Sequence, residues 1–360
     1  MTVATALVSG NDPLPQLAAD AVSQALEKLR AKGVSHANSV LLYLTQDFSR
    51  QVQPALLAAS RAAACTQVAG TVAAGLFTED GWVLDRPAAA AMVFGGPFSL
   101  LPGRPGQEPL LSLASSASLP PEWAVLENQR FGAVHLDTLA SQPGPVWQQG
   151  RPTPDHRLSL ALEGSHGVVS LSCGLRLLGP ALPVGQVEGH EVRTLGGQPP
   201  LDSLQRLLPP ELRQRKDLHQ VTAVVADPGH ALDRPESPHC RLLPLLAPTP
   251  EGGVILAGRV APGQSLAWAI RQPLAAEQDM RDTLAALADE MAAPTFALMF
   301  SCIGRGPYFY GGEDRDLLAL KDRFPGLPLL GLYGSGQIAP QHDGRLLHNG
   351  VVTALFSPGD

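Results

Sequence analysis

One pattern occurs twice in this chain, and it constrains the fold more than any other feature of the sequence. The segments VAGTVAAGLFTEDGWVLDRPAAAAMVF (68–94) and LLGLYGSGQIAPQHDGRLLHNGVVTALF (329–356) share a glycine pair, an Asp-Gly turn and an apolar run that ends in Phe. Gly70 corresponds to Gly331 in the alignment of the two, and Gly75 corresponds to Gly336. A pattern that recurs along a chain is typical of a repeated structural unit.

The glycines of the second segment do not have the context of a phosphate-binding loop. Such a loop lies between a strand and a helix, because the helix N-terminus supplies the amide groups that hold the phosphate. Here Gly336 is followed by Gln337, Ile338 and a predicted turn at Asp343-Gly344, and then by another β-rich run. The sequence therefore predicts that the segment continues as sheet, with glycines where the backbone tolerates no side chain.

The regions upstream of the two segments also correspond. SVLLYLTQDFSR (39–50) and TFALMFSCIGRG (295–306) are both apolar, strand-like runs that end in a polar loop, and a helical stretch follows each. Apolar periodicity predicts further helices over 13–32, 275–292 and 313–324. We therefore predict an α+β fold of two related lobes from an internal repeat, each a mixed, mostly antiparallel sheet packed with helices.

Composition excludes several classes of function. The net charge is −7, and the 26 Lys and Arg residues are too dispersed to form a nucleic-acid-binding surface. No apolar run approaches the roughly 18 residues that a membrane helix needs, so we expect a cytoplasmic protein with neither a nucleic-acid nor a membrane partner. The four cysteines form no C-x-x-C pair, and we expect no metal, cofactor or disulfide.

The second half carries the candidate site, because a scaffold residue should recur in both halves and a site residue need not. Ser301, Cys302, Gly304 and Arg305 have no equivalents in the first half. The planar guanidinium of an arginine suits a carboxylate, and flanking glycines let a ligand approach the backbone. Further neutral donors and acceptors follow in the glycine-rich segment, namely Ser335, Gln337 and Asn349.

These residues resemble a known family. FALMFSCIGRGPYFYGGEDRDLLALKDRFPGLPLLGLYGSGQIAP followed by HNGVVTALF is similar to the C-terminal half of the FIST domain (F-box and intracellular signal transduction), whose turn pattern includes Tyr333. HANSVLLYLTQDFS and VAGTVAAGLFTEDG resemble the N-terminal half more loosely. The resemblance implies a FIST N-terminal domain over 35–182 and a FIST C-terminal domain over 183–358, and the helix predicted over 13–32 gives an N-terminal helical region over 1–34.

The family resemblance also implies a function. It indicates a sensory or signal-transduction module, which binds a small ligand such as an amino acid and signals through a separate protein partner, and no catalytic activity is securely attached to the family. The chain departs from the family pattern at Gln337, where the family usually has Glu, and at Gln272, which follows Arg271 in place of the family's Asp. Both changes remove negative charge and favour a carboxylate or another anion as the ligand.

The resulting set of predicted ligand-binding residues is Arg305, Ser301, Cys302, Gly304, Tyr333, Ser335, Gln337, Asn349 and Arg271. Other interpretations stay open at this point. Arg305 could instead tie two loops together, and Cys302 could be an inert buried thiol or, with a base such as His348, the nucleophile of an enzyme. A protein-interaction scaffold with a large exposed apolar patch is a third alternative.

Overall fold

The structure is a computed structural model, and the following description covers residues 2–104, 106–120, 123, 130–135, 143–213, 218, 220–232, 235, 237, 239–340 and 346–359. The chain divides into two compact units, of which the first is Met1–Leu171 together with Met280–Asp360 and the second is Ser172–Asp279. These units do not coincide with the predicted boundary near residue 182. Both halves of the predicted repeat contribute to the first unit, and the second unit is an insertion between them.

The first sheet of the first unit has six strands in the order β1-β6-β2-β3-β10-β11. Its strands are β1 (Val3–Ser9), β2 (Ser39–Thr45), β3 (Val68–Ala73), β6 (Ala88–Phe94), β10 (Val146–Gln148) and β11 (Arg151–Pro152). Strands β2 and β3 are parallel, and β6 is antiparallel to β2. Helices α1 (Pro15–Arg30) and α2 (Val52–Ala63) bury their apolar faces in one core with this sheet.

The second six-stranded sheet has the order β13-β25-β22-β23-β4-β5. Its strands are β4 (Gly75–Thr78), β5 (Gly81–Leu84), β13 (Ser165–Ser172), β22 (Phe296–Cys302), β23 (Leu329–Gly334) and β25 (Val351–Pro358). Strands β22 and β23 are parallel, and β25 is antiparallel to β22. Residues of α4 (Pro273–Glu290) from Met280 onward and α5 (Arg315–Arg323) share a core with this sheet.

The two six-stranded sheets pack against each other through aromatic side chains. The rings of Phe94 and Phe296 have centroids 5.4 Å apart, and those of Tyr43 and Phe300 are 6.5 Å apart. Val40, Leu42 and Leu44 point the other way, into the core with α1 and α2, because successive side chains of a strand alternate between its faces. The first unit is therefore layered as helices, sheet, sheet and helices.

The glycine-bearing segments occupy equivalent strands of these two sheets. Gly70 lies in β3 and Gly331 in β23, and each of these strands is parallel to the strand that precedes it in its own half. The hairpins that follow are exchanged, since β4 pairs with β23 and β24 (Gly336–Ile338) pairs with β9 (Arg130–His135). The halves thus interlock within one unit, and their interpretation as an internal repeat stays a prediction.

Strand β24 is the edge of a five-stranded sheet with the order β24-β9-β8-β12-β7. The other strands are β7 (Ser99–Pro102), β8 (Leu110–Ser115) and β12 (Arg157–Glu163). The chain continues as sheet after Gly336, as the sequence predicts. The predicted turn at Asp343-Gly344 lies outside the described residues.

The second unit contains an antiparallel sheet of short and long strands with the order β14-β21-β18-β19-β20-β17-β16, and β15 pairs with β21. Its strands are β14 (Leu175–Leu177), β15 (Leu182–Pro183), β16 (Val187–Glu188), β17 (Glu191–Val192), β18 (Val221–Ala226), β19 (Cys240–Pro248), β20 (Val254–Leu256) and β21 (Ser265–Arg271). Helix α3 (Pro200–Leu207) shares an apolar core with this sheet.

The predicted fold class is confirmed in its coarse form, as α+β with mixed and antiparallel sheets. The helices predicted over 13–32, 275–292 and 313–324 are α1, α4 and α5, with bounds that differ by a few residues. Within the described part of the chain, every helix is too short or too polar to span a bilayer.

Candidate functional site

Most of the predicted ligand-binding residues lie at one edge of the second six-stranded sheet. Strands β22 and β23 are parallel, so their carboxyl ends meet there, with Ser301 opposite Tyr333 and Cys302 opposite Gly334. The carboxyl ends of parallel strands are the usual position of ligand sites in sheets of this kind. Arg271 is the exception, because it ends β21 in the second unit and pairs with Leu175.

Arg305 is part of an internal ion pair. Its Nε donates to Asp316 Oδ2 at 3.0 Å and its Nη2 donates to Asp316 Oδ1 at 2.9 Å. The two side chains are 2% and 0% exposed. The sequence predicts that this guanidinium binds the carboxylate of a ligand, which requires two neighbouring N–H groups without a partner. In the structure, Nε and Nη2, the pair that suits a carboxylate, already donate to Asp316. The alternative of an arginine that ties two loops together describes its position better.

The partner carboxylate is held by a second contact. The Tyr310 hydroxyl donates to Asp316 Oδ1 at 2.9 Å, and Asp316 lies in the first turn of α5, where the helix dipole favours a negative charge. Such additional hydrogen bonds offset the large desolvation cost of burying an ion pair. Burial raises the pKa of Tyr310, so its hydroxyl stays protonated as the donor.

Asp314 connects α5 to β23. It is the N-cap of the helix, where its Oδ1 accepts a hydrogen bond from the Leu317 backbone N–H at 2.9 Å, and its Oδ2 accepts one from the Tyr333 hydroxyl at 2.5 Å. Burial, and secondly the charge of Asp316, raise the pKa of Asp314 to about 6. Burial and the neighbouring Asp314 raise the pKa of Tyr333. The hydroxyl predicted to contact a ligand is thus bonded internally.

Gln337 is also bonded internally. Its side chain is fully buried, and in the amide orientation that satisfies both neighbours it donates to the Leu347 carbonyl at 2.9 Å and accepts from the Cys302 backbone N–H at 3.0 Å. A carboxylate has no proton to offer Leu347, so the neutral amide matches this position. The departure from the family's Glu therefore has a local structural reason, and Gln337 is not exposed to a ligand.

Cys302 and Ser301 lie beneath the surface. Cys302 is 4% exposed and Ser301 is fully buried. The ring of His348 is exposed, and its Nδ1 is 2.9 Å from the Ser335 carbonyl oxygen. Within the part of the chain that the structure describes, no hydrogen bond joins the Cys302 sulfur to His348. The thiol–imidazole pair that a cysteine nucleophile requires is therefore not formed by these two residues.

We call four accessible residues of this edge the strand-end rim: Gly304, Ser335, His348 and Asn349. Gly304 and His348 are exposed, whereas Ser335 and Asn349 are half-buried. Asn349 adopts a positive φ of 63°. The Ser335 hydroxyl donates to the Val134 carbonyl at 3.0 Å, which holds the rim against β9. The rim offers neutral hydrogen-bonding groups beside a buried charged network.

Sequence reasoning missed the roles of Asp316 and Tyr310. Asp314, at the acidic start of the segment 313–324, caps α5 by accepting from the Leu317 backbone N–H. Asp316 follows Arg305 by one short loop, and an acid so near a strand-end arginine was the available signal for their pairing.

Comparisons with known proteins identify a family to which part of the chain is similar. Residues 201–340 match the model of the FIST C domain, which is associated with signal transduction. An uncharacterized protein of Mycobacterium tuberculosis is 27% identical over 380 residues, covering 97% of this chain and 98% of that protein. An uncharacterized protein of Mycobacterium bovis is 29% identical over 205 residues, covering 55% of this chain and 53% of that protein. The match supports a FIST domain protein through its C-terminal domain, and the N-terminal FIST domain stays a prediction.

Proposed function

We propose that this protein is a small-ligand-binding module of signal transduction and that its ligand contacts the strand-end rim. The observation that supports the proposal is the buried network of Arg305, Asp316, Asp314 and Tyr333 beside that rim. Buried ionisable groups with shifted pKa values, such as Asp314, concentrate at functional sites. The buried network lies at the carboxyl ends of two parallel strands, where ligand sites are common.

The chemistry of the rim favours an amino acid or another small carboxylate. The Ser335 hydroxyl donates to the Val134 carbonyl, so its oxygen can accept from an ammonium or hydroxyl group of a ligand. The amide of an asparagine such as Asn349 has a donor for a carboxylate and an acceptor for an ammonium group. The exposed glycine at 304 leaves room for close approach to the backbone. Arg305 does not contact the ligand through Nε or Nη2 in this proposal, so the neutral groups of the rim provide most of the affinity.

The buried network gives a route by which binding could reach the rest of the first unit. Gly304 and Arg305 belong to one short 3-10 helix, Ile303–Arg305. A ligand that displaces the backbone at Gly304 would therefore also displace Arg305, which pairs with Asp316. Asp316 lies in α5, whose outer surface includes the exposed Leu318. We propose that a separate protein partner binds the outer surface of this helix and responds to its displacement.

A thermal-shift screen of the common amino acids and small carboxylates tests the proposal. We expect particular compounds to raise the melting temperature of the wild type, because a ligand that binds only the folded state stabilises it. Asn349→Gly removes the amide and keeps the positive φ, and Ser335→Ala removes the hydroxyl. Each should weaken binding by about tenfold in titration calorimetry, the loss expected for one hydrogen bond to a charged group.

The matched control is Gln149→Gly, which also replaces an exposed residue of positive φ (53°) but lies away from the rim. It should leave binding unchanged. A ligand that both rim variants bind with wild-type affinity would show that the site is elsewhere. A screen without any hit would favour the protein-interaction scaffold.

A further inference from the structure

The second unit contains an open groove that the proposed function does not use. It has a volume of about 860 Å³ and is lined by Gln198, Asp202, Gln205, Arg206 and Arg213. Gln198 precedes α3, the next three residues lie on the exposed face of that helix, and Arg213 follows the short 3-10 helix Pro210–Leu212. We refer to these five residues as the α3 groove.

Both arginines of the α3 groove are held in position by neutral groups. Arg206 Nε donates to the Asp202 backbone carbonyl at 3.2 Å, and its Nη2 donates to Gln198 Oε1 at 2.6 Å. Arg213 Nε donates to the Leu208 carbonyl at 3.0 Å. No carboxylate of the described chain lies within salt-bridge distance of either guanidinium. The two positive charges are therefore oriented but not neutralised.

Each guanidinium keeps unused donors. Arg206 Nη1 and both terminal nitrogens of Arg213 form no hydrogen bond to any residue that the structure describes. Guanidinium N–H groups match the oxygens of carboxylates and phosphates, and an oriented arginine loses less side-chain entropy on binding than a mobile one. Since the chain as a whole carries a net charge of −7, attraction of an anion here must come from these local charges.

The negative charge of Asp202 restricts which anions can bind in the α3 groove. Its carboxylate is exposed in the same groove and would repel a ligand that presents only negative charge. A ligand with a hydroxyl group beside its anionic group can place the anion on the arginines and donate the hydroxyl to Asp202. We propose that the α3 groove is a binding site for a small hydroxylated anion that carries a phosphate or a carboxylate, separate from the strand-end rim.

Titration calorimetry at low ionic strength tests this site with four probes: glycerol 3-phosphate, glycerate, inorganic phosphate and glycerol. We expect glycerol 3-phosphate or glycerate to bind more tightly than inorganic phosphate, and glycerol not to bind. The two hydroxylated probes distinguish a phosphate site from a carboxylate site. Arg206→Gln and Arg213→Gln should each weaken binding by about tenfold or more, because each removes charge-assisted hydrogen bonds.

Three variants supply the specific controls. Asp202→Asn should remove the preference for the hydroxylated anion over inorganic phosphate. Arg176→Gln removes an exposed arginine of β14 in the same unit and should leave binding unchanged. Asn349→Gly at the strand-end rim should also leave it unchanged, which separates this site from the proposed function.

Three results would overturn the proposal. They are the absence of binding by both hydroxylated probes, an affinity for inorganic phosphate at least equal to that for each hydroxylated probe, and an equal loss of affinity in Arg176→Gln and the two groove variants. Unfolding midpoints of all variants, measured in parallel, ensure that a loss of affinity reflects the site and not the fold.

Discussion

Arg305 and Asp316 depend on each other because both are charged and almost fully buried. Removal of one partner leaves an uncompensated charge inside the protein. We expect Arg305→Met to lower the free energy of unfolding by about 3–5 kcal/mol, as measured by urea denaturation. The double variant Arg305→Met/Asp316→Asn keeps an acceptor for Tyr310 and should recover part of the loss. A decrease below about 1 kcal/mol in the single variant would contradict the buried pair.

Asp314 makes stability depend on pH in a direction opposite to most carboxylates. Its pKa of about 6 in the folded protein exceeds its ordinary value of 3.8, so the folded state binds the proton more tightly. The resulting stabilisation is complete below the ordinary value and is lost as the pH rises through about 6. The contribution is on the order of 3 kcal/mol.

Asp314→Asn should therefore remove a decrease in stability between about pH 4 and pH 6 that the wild type shows. Asparagine keeps an oxygen that can accept from the Leu317 N–H, and its amide nitrogen can donate to the Tyr333 hydroxyl oxygen, which then becomes the acceptor. The measurement is a series of urea denaturations across this range, with Asp322→Asn, which replaces an exposed acid, as the control. Identical pH dependence in the wild type and Asp314→Asn would show that Asp314 does not titrate there.

Substitution of Tyr43 should raise the free energy of unfolding. Its hydroxyl is buried between the two six-stranded sheets and has no hydrogen-bond partner among the described residues. Tyr43→Phe keeps the ring contact with Phe300 and removes the unsatisfied group, so we expect a gain of about 1 kcal/mol in the free energy of unfolding. A loss of stability by thermal and urea denaturation would indicate that the hydroxyl has a partner.

At the scale of the elements, Gly331 sets how closely β23 approaches the hairpin from the other half. A Cβ at this position would lie 2.0 Å from the ring of Phe77, which pairs with Gly331 across the β23–β4 ladder. We expect Gly331→Ala to cost about 1–3 kcal/mol in urea denaturation, since the packed ring cannot move away freely.

The test of this contact is a double-variant cycle with Phe77→Leu. The smaller side chain makes room, so the double variant should lose less stability than the sum of the two single variants. Additive losses would show that the two residues do not constrain each other.

Several elements could be predicted from the sequence because their signals are local. The apolar periodicity of residues 275–292 and 313–324 identified α4 and α5, and the run 295–301 identified β22. The pairing of β4 with β23 and of β24 with β9 could not be predicted. The residues of a strand do not specify which strand, distant in the sequence, it will pair with. The partner of Arg305 was missed for a different reason, although Asp316 is near it in the sequence. A guanidinium beside two glycines has the same sequence pattern whether its partner is a ligand or Asp316.

At the scale of the whole molecule, each of the two units has its own apolar core. Leu204 lies in the core of the second unit and is fully buried. We expect Leu204→Ala to cost about 2–5 kcal/mol within that unit. In hydrogen exchange followed by mass spectrometry, amides of β18 and β21 should exchange faster, whereas those of β2 and β22 should keep their protection.

Leu42→Ala is the matched variant in the core of the first unit and should give the converse pattern. Faster exchange throughout the chain in either variant would show that the two units unfold as one.

The exchanged hairpins bear on how such a chain can be divided in evolution or in the laboratory. A gene for residues 201–340 alone would encode β22 and β23 without β25 on one side and without β4 on the other. Both flanking ladders would be missing, and two rows of backbone amides and carbonyls would be open to self-association. The first unit therefore needs strands from both halves, and residues 201–340 alone do not contain a complete second sheet.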